Sequence, residues 1–371
     1  MKKQIAVIKG DGIGPEIVTQ AIKVLKAVEE KHDLRFELKE VEMGACAIDS
    51  SGEPITNESL AICKESDAVL LGAIGDPRFD NDPTLKVRPE QGLLKLRKEL
   101  GLYSNVRPTT LYKEIQDFSP LKEERLSGVD LVIYRELIGG VYFGEKKTSE
   151  DGLSSSDLCS YSAEQIDRVA HQAFQAAGAR EGKLTLVDKA NVLETSRLWR
   201  KRIAEIANEY PEIKVDYLFV DNAAMQLVQN PGQFDVILTE NMFGDILSDL
   251  ASVLTGSIGM LPSASLGDEN ALFEPIHGSY PQAKGQDIAN PSAMILSVAM
   301  MLDHFGLNEQ ANDIRNAIDW ALKQGIGTSD IFGENGVSCS NFGDIIAGYI
   351  EEAGELSYKS EVPKEARGII I

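Results

Sequence analysis

Asp245 and Asp249 stand four residues apart in the stretch 240–250, ENMFGDILSDL, whose apolar residues recur at helical spacing. On a helix the two carboxylates share one face, a turn apart. Left bare, like charges so placed repel by roughly 0.2–0.5 kcal/mol. A cation between them reverses the sign, and hard carboxylate oxygens suit Mg²⁺ or Mn²⁺. Taken alone, Asp-x-x-x-Asp in an acidic chain reads as a solvated helix face, so the pair needs company. Other charged residues follow predicted strands: Arg135 closes 129–135, Asp188 and Lys189 follow 184–187, Asp221 follows 215–220, and Asp245 lies just beyond 234–239. In open α/β sheets the strand ends border the ligand crevice. Arginine pairs bidentately with carboxylates. Arg97, Arg107 and Arg135 together with a metal would therefore suit a dicarboxylate that also carries a hydroxyl, although composition does not make them converge.

The elements that must position these groups alternate. Apolar patterns predict strands at 4–8, 34–43 and 68–71 before the strands above. Helices are expected to residue 28, over 56–64, 93–97, 163–177, 194–208, 290–302 and 310–324, and around Met225. This order implies an α/β fold. The segments 148–157 and 257–265 read as loops, and 274–279 as a turn-rich polar cluster. The first strand runs into Gly10-Asp11-Gly12-Ile13-Gly14-Pro15-Glu16. Proline fits the first turn of the following helix, where its missing N–H costs nothing. Because residue 15 is proline, the stretch is not G-x-G-x-x-G, so the standard Rossmann fingerprint is lacking.

Bulk composition narrows the class. A chain of 371 residues, 43% hydrophobic, exceeds one ordinary domain and implies two lobes. A net charge of −21 argues against a nucleic-acid partner and requires any site for an anionic substrate to be locally positive. Four scattered cysteines without CxxC give no disulfide framework, and four unpaired histidines give no zinc site. The first apolar run breaks at Lys9, and no run reaches the roughly 18 apolar residues of a membrane span. A cytoplasmic protein with no membrane partner is expected.

Three long motifs are more specific: 135–144 (RELIGGVYFG), 187–193 (VDKANVL) and 241–249 (NMFGDILSD). With the glycine-rich stretch 10–16 they resemble the β-decarboxylating dehydrogenases of the isocitrate/isopropylmalate dehydrogenase family, over nearly the whole chain. The resemblance implies a two-lobed fold, with a nucleotide-binding lobe from 1–100 and 250–371 and a second lobe from 101–249 that carries dimer contacts, metal and substrate residues. It implies a homodimer with shared active sites. Arg97, Arg107 and Arg135 would hold substrate carboxylates. Asp245 and Asp249 would ligate Mg²⁺ or Mn²⁺ together with Asp221 from the partner, which also touches substrate. Lys189, again from the partner, would be the base, and Tyr142 would protonate the enol carbon. The reaction implied is NAD-dependent oxidation of a 2-hydroxy dicarboxylate followed by loss of CO₂. K⁺ stays open as an additional ion.

Family members differ in the group on C3 of the substrate. The isopropylmalate branch reads that group with a Glu-x-x-Leu-Leu helix, here Glu90-Gln91-Gly92-Leu93-Leu94. Two leucines suit an isopropyl group and would leave a third carboxylate desolvated and unpaired. D-malate, tartrate, homoisocitrate and isocitrate remain the alternatives within the family. A non-catalytic regulatory subunit is disfavoured because the full set of charged residues is retained. The nucleotide would lie on Ile13, Glu274, His277, Gly278, Ser279, Asp287, Ile288 and Asn290. Gln282 replaces the aspartate common in NAD-linked members, yet no lysine or arginine takes that position, so NAD is expected. Glu240 also departs from the glycine found in many members.

Overall fold

Strands form where aliphatic residues run together and where buried polar residues find partners in the next strand. The computed structural model describes residues 2–80 and 85–352. The stretch 353–371, which the sequence reading assigns to the first lobe, lies outside the described residues. In chain order the strands are β1 (Lys2–Gly10), β2 (Arg35–Glu40), β3 (Ala68–Ala73), β4 (Ser104–Thr110), β5 (Asp130–Glu136), β6 (Lys146–Thr148), β7 (Ser155–Asp157), β8 (Lys183–Asp188), β9 (Lys214–Phe219), β10 (Val236–Thr239), β11 (Pro262–Leu266) and β12 (Ala271–Pro275). Ten of them form one mixed sheet in the order β2-β1-β3-β12-β11-β4-β5-β10-β8-β9. Its first five strands come from residues 2–73 and 262–275, its last five from 104–239. The halves meet where β11 runs antiparallel to β4, at three register pairs only: Ala264↔Val106, Ser265↔Asn105 and Leu266↔Ser104.

Side chains alternate across a strand, so each strand feeds two faces. On one face Val7, Leu70, Phe273, Ala264, Val106, Val132 and Leu238 join a single core that crosses both halves. That core is covered by the helices Gly14–Lys31, Ala163–Gly178, Glu194–Ile206, Ser292–His304, Asn308–Lys323 and Cys339–Glu351. On the opposite face the apolar residues split into two separate clusters. One centres on Ile8, Met43, Leu71 and Leu96, the other on Ile133, Ile237, Leu227 and Leu247. Between them the middle strands present Glu274, Ser263, Ser265, Asn105, Arg107 and Arg135. A strip of buried polar residues therefore separates two apolar cores.

The structure corrects three sequence expectations. The segment 148–157 carries part of a hairpin, β6–β7. The segment 257–265 contains most of β11, and Glu274 and Pro275 end β12 instead of lying in a turn. β4 and β11 were illegible because their inner positions include serine, asparagine and arginine, which break the apolar alternation, and β6 and β7 because they are three-residue polar strands, fully exposed. Pro108 sits in β4, a residue that normally argues against an inner strand. It is tolerated because β11 reaches β4 only as far as Val106.

Close approach of the helix Asn241–Ser252 to β5 rests on Gly244. A Cβ there would lie 2.6 Å from Arg135 Cγ and 3.1 Å from Thr239 Cγ2. Gly244→Ala should therefore push that helix off the sheet and cost about 1–3 kcal/mol, the usual penalty of overpacking. The check is the urea midpoint at unchanged m-value; a midpoint equal to wild type would show that the contact yields freely.

Candidate active site

The polar strip is a floor whose members satisfy one another. Arg135, on β5, donates from Nε and Nη2 to Asn241 Oδ1 at 3.1 and 2.8 Å, and from Nη1 to Asp245. Arg107, two residues along β4 from Asn105, donates from Nε to Asn105 Oδ1 at 2.6 Å and from Nη1 to Ser248 Oγ at 2.6 Å. Its Nη1 also lies 3.7 Å from Asp245 and 3.5 Å from Asp249. Arg97, on the helix Pro89–Glu99, donates to Glu274 Oε1 at 2.7 Å, and its Nε is buried without a partner. Burial and the nearby Arg135 push Arg107 down to about 10, so it stays a cation at neutral pH.

Tyr142 follows the Gly139-Gly140 turn and donates its hydroxyl to Asp245 Oδ2 at 2.8 Å. Burial, reinforced by that carboxylate, pushes the phenol up to about 12, which keeps its proton in place. The turn is clamped from several sides. Glu136 accepts from the N–H groups of Ile138 and Gly139, and Asn241 Nδ2 donates to the Gly139 carbonyl. Glu240, whose role the sequence left open, caps the helix Asn241–Ser252. It accepts from Phe243 N–H at 2.9 Å and from the Tyr161 hydroxyl at 3.0 Å. Burial raises the Glu240 carboxyl above its ordinary range and pushes Glu136 up to about 7.

Lys189 and Asp221 form a second group, apart from the arginines. Lys189 Nζ lies 2.5 Å from Asp221 Oδ1, at the ends of β8 and β9. Asp188, just before the lysine, binds Arg200 and the Ala190 N–H and so fixes this turn. Asp221 does not reach Asp245 or Asp249 within one chain: among the described residues no three acidic, histidine or cysteine side chains converge to hold a metal.

On the helix Pro89–Glu99, Glu90, Leu93, Leu94 and Arg97 fall at positions that share a face. Leu93 packs partly against the core and Leu94 stays exposed, which leaves apolar surface beside Arg97. Glu90 lies close to Gly75, since a Cβ built there would meet Glu90 Oε1 at 3.1 Å and Ser279 Oγ at 3.4 Å.

A cleft of about 470 Å³ adjoins the site, lined by Ile13, Ser257, Ile258, Gly259, His277, Gly278, Tyr280, Ile288, Ala289, Asn290 and Asp330. It collects Ile13, His277, Gly278, Ile288 and Asn290 of the expected nucleotide residues. His277 Nε2 is buried there without a partner, a free position for a ligand's polar atom. Gly12 lets the first loop close the cleft, because its Cβ would fall 1.9 Å from the Ser279 carbonyl oxygen; Ile13 N–H donates to that same oxygen. Asp287 does not line the cleft. Its carboxylate accepts from Ser340 N–H and Oγ at 2.8 and 2.6 Å, which fixes the start of the helix Cys339–Glu351. Glu274 faces Arg97 instead, and Ser279 contributes its carbonyl to the loop. Sequence reading missed Asn105, Asn241 and Ser248, polar residues that the fold buries, and the exposed Asp330 at the cleft.

Comparison with known proteins follows this geometry. Residues 4–346 match the family model described as isocitrate/isopropylmalate dehydrogenase. The chain is 56% identical over 336 residues to the 3-isopropylmalate dehydrogenase of Clostridium acetobutylicum, covering 89% of this chain and 94% of that protein. It is 53% identical over 353 residues to that of Helicobacter hepaticus, covering 93% and 99%. Among solved structures, an isocitrate dehydrogenase from Methylococcus capsulatus superposes with a TM-score of 0.85 at 33% identity, covering 94% of this chain and 99% of that one. A β-decarboxylating dehydrogenase from Thermococcus kodakarensis gives 0.78 at 38% identity, covering 94% and 96%.

Asp245 offsets the repulsion between two buried arginines. In metal-free protein, Asp245→Asn should therefore cost about 1–3 kcal/mol, the range for a charge-assisted hydrogen bond, and malonate, a dianion, should restore part of it. Thermal unfolding with and without malonate checks this; a variant as stable as wild type would show that the arginines need no anion.

Proposed function

Because the chain belongs to the isocitrate/isopropylmalate dehydrogenase family, we propose that it oxidises (2R,3S)-3-isopropylmalate with NAD and releases CO₂, leaving 4-methyl-2-oxopentanoate, a step of leucine biosynthesis. The observation that carries this reading is the placement of Leu93 and Leu94 beside Arg97, with Arg107 and Arg135 on the adjoining floor. Three cations meet two carboxylates, and an apolar flank meets a branched alkyl group. A substrate with a charged C3 group would have its charge desolvated on that flank.

In this reading Arg97, Arg107 and Arg135 hold the substrate carboxylates and orient C2. Lys189 of the partner subunit takes the hydroxyl proton as C2 is oxidised. Loss of the carboxylate on C3 leaves an enol, and Tyr142, which keeps its proton to high pH, protonates that carbon. Glu90 closes the space between substrate and nucleotide. Asp245 and Asp249, with Asp221 of the partner subunit, offer the hard oxygens that suit one Mg²⁺ or Mn²⁺. When bound, that ion supplies Lewis-acid pull on the 2-hydroxyl oxygen, and NAD supplies the hydride acceptor. The absence of lysine or arginine among the described cleft-lining residues supports NAD over its 2′-phosphorylated form.

A homodimer is supported by apolar surface on two neighbouring helices. Met225 is 53% and Val228 40% exposed on Val220–Gln229, and Ile246 is 59% exposed on Asn241–Ser252. A second copy covering this face would also explain why Lys189 and Asp221 stand apart from Asp245 in one chain.

Initial rates with Mn²⁺, crossing 3-isopropylmalate, D-malate and isocitrate with NAD and NADP, should be fastest for 3-isopropylmalate with NAD. Equal catalytic efficiency on D-malate would overturn the Leu93/Leu94 argument, and preference for NADP the choice of nucleotide. Lys189→Ala and Asp245→Asn should each abolish turnover. Refolded together, they should regain about a quarter of wild-type activity, since half of the random two-fold pairs hold one intact site. No regain would place each site within a single chain.

A further inference from the structure

Asn105 is fully buried at the joint between the halves of the sheet, and both its Nδ2 and its Oδ1 are hydrogen-bonded. Its Nδ2 donates to Ser263 Oγ at 2.9 Å, Ser265 Oγ at 3.1 Å and the Ala264 carbonyl at 3.2 Å, all on β11. Its Oδ1 accepts from Arg107 Nε at 2.6 Å. The amide can stand only this way round, because a guanidinium has donors and no acceptor. Asn105 also sits opposite Ser265 on one side and Arg135 on the other. It thus lies between the residues contributed by each half.

Its bond decides where Arg107 points. A guanidinium is a rigid fork, so fixing Nε and one Nη sets the plane of the whole group. Asn105 holds Nε and Ser248 holds Nη1, which also reaches Asp249 Oδ1 at 3.5 Å, so two sides of the fork are fixed. Without the Asn105 oxygen, Nε would be buried with no acceptor and the fork would pivot about Ser248. The other half of the joint continues the chain of contacts: Ser265 Oγ lies 3.5 Å from Glu274 Oε1, and Glu274 binds Arg97. The arginines from the two halves are thus linked through one asparagine.

We propose that Asn105 is a positioning residue that aims Arg107 at the substrate carboxylate and ties that aim to the β4–β11 joint. The inference rests on the reading of Arg107 as a substrate-binding residue. It assigns Asn105 no contact with substrate.

Steady-state kinetics of Asn105→Ala and Asn105→Ser, alone and combined with Arg107→Lys, test it; the serine variant serves if the alanine variant does not fold. Each single Asn105 variant should raise KM for 3-isopropylmalate about ten- to hundredfold, the worth of a hydrogen bond to a charged group. KM for NAD should stay within about twofold of wild type, inside the usual error of independent sites. In the Arg107→Lys background the Asn105 change should add less than about twofold. Ser263→Ala with Ser265→Ala should raise the same KM, because the amide then keeps only the Ala264 carbonyl. Full additivity of the Asn105 and Arg107 effects, or equal loss for NAD and 3-isopropylmalate, would reduce Asn105 to a stabilising residue and overturn the proposal. An unchanged KM in the paired serine variant would remove the joint from it. If Arg107→Lys itself left kcat/KM unchanged, the reading of Arg107 would fall instead.

Discussion

A polar side chain inside a sheet must find its partners inside the sheet. Leaving a buried donor or acceptor unmade costs about 1–3 kcal/mol, more when the group is charged. Here the constraint acts on four adjacent strands at once. Glu274 on β12, Ser263 and Ser265 on β11, Asn105 and Arg107 on β4, and Arg135 on β5 all face one side. Each solves the problem with a neighbour from this group or from the helices above it. An apolar residue at any of these positions would join the two cores on that face into one and close the site. The functional surface therefore exists because the core is interrupted, and the interruption is stabilised by hydrogen bonds among its members.

Charge makes the same demand more strictly. Arg107 and Arg135 are buried close enough that each disfavours the other's charge. Asp245 lies near both and takes the Tyr142 hydroxyl as well, so one carboxylate sets the positions of three groups. That arrangement balances the floor without saturating it, since Arg97 keeps a buried Nε without a partner. The chain carries a net charge of −21, so a locally positive floor must be built by burial and geometry and cannot come from composition. Glycine completes the device at two places in particular. Gly244 brings the carboxylate-bearing helix against Arg135, and Gly12 lets the first loop lie on Ser279.

Much of this was legible in the sequence, and the parts that were not share a cause. The outer strands and the long helices announce themselves by apolar period, and the charged residues at strand ends stand out as a group. Strands β4 and β11 carried no such signal, because the residues they turn to one face are those of the polar floor. The same residues that hide the strands from a hydrophobicity pattern are the ones that mark the site. Their signal is parity: Asn105 and Arg107 are two apart, as are Ser263 and Ser265, and period-two polar pairs mark a polar-faced inner strand. Asp287 failed for a different reason. A motif fixes which residue stands at a position, whereas Ser340, more than fifty places along the chain, determines where its carboxylate turns.

The joint between the halves also carries the site's logic. β11 and β4 share three register pairs, and the polar floor is densest along them. Arg97 belongs to one half, Arg107 and Arg135 to the other, and Asn105 spans them. An anion touching Arg97 on one side and Arg107 on the other therefore bridges the same joint that Asn105 bridges from below. A ligand with a single carboxylate can satisfy one side only. A dicarboxylate of the right length adds its binding energy to the pairing that holds the halves together, so the geometry that selects two charges also selects the spacing between them.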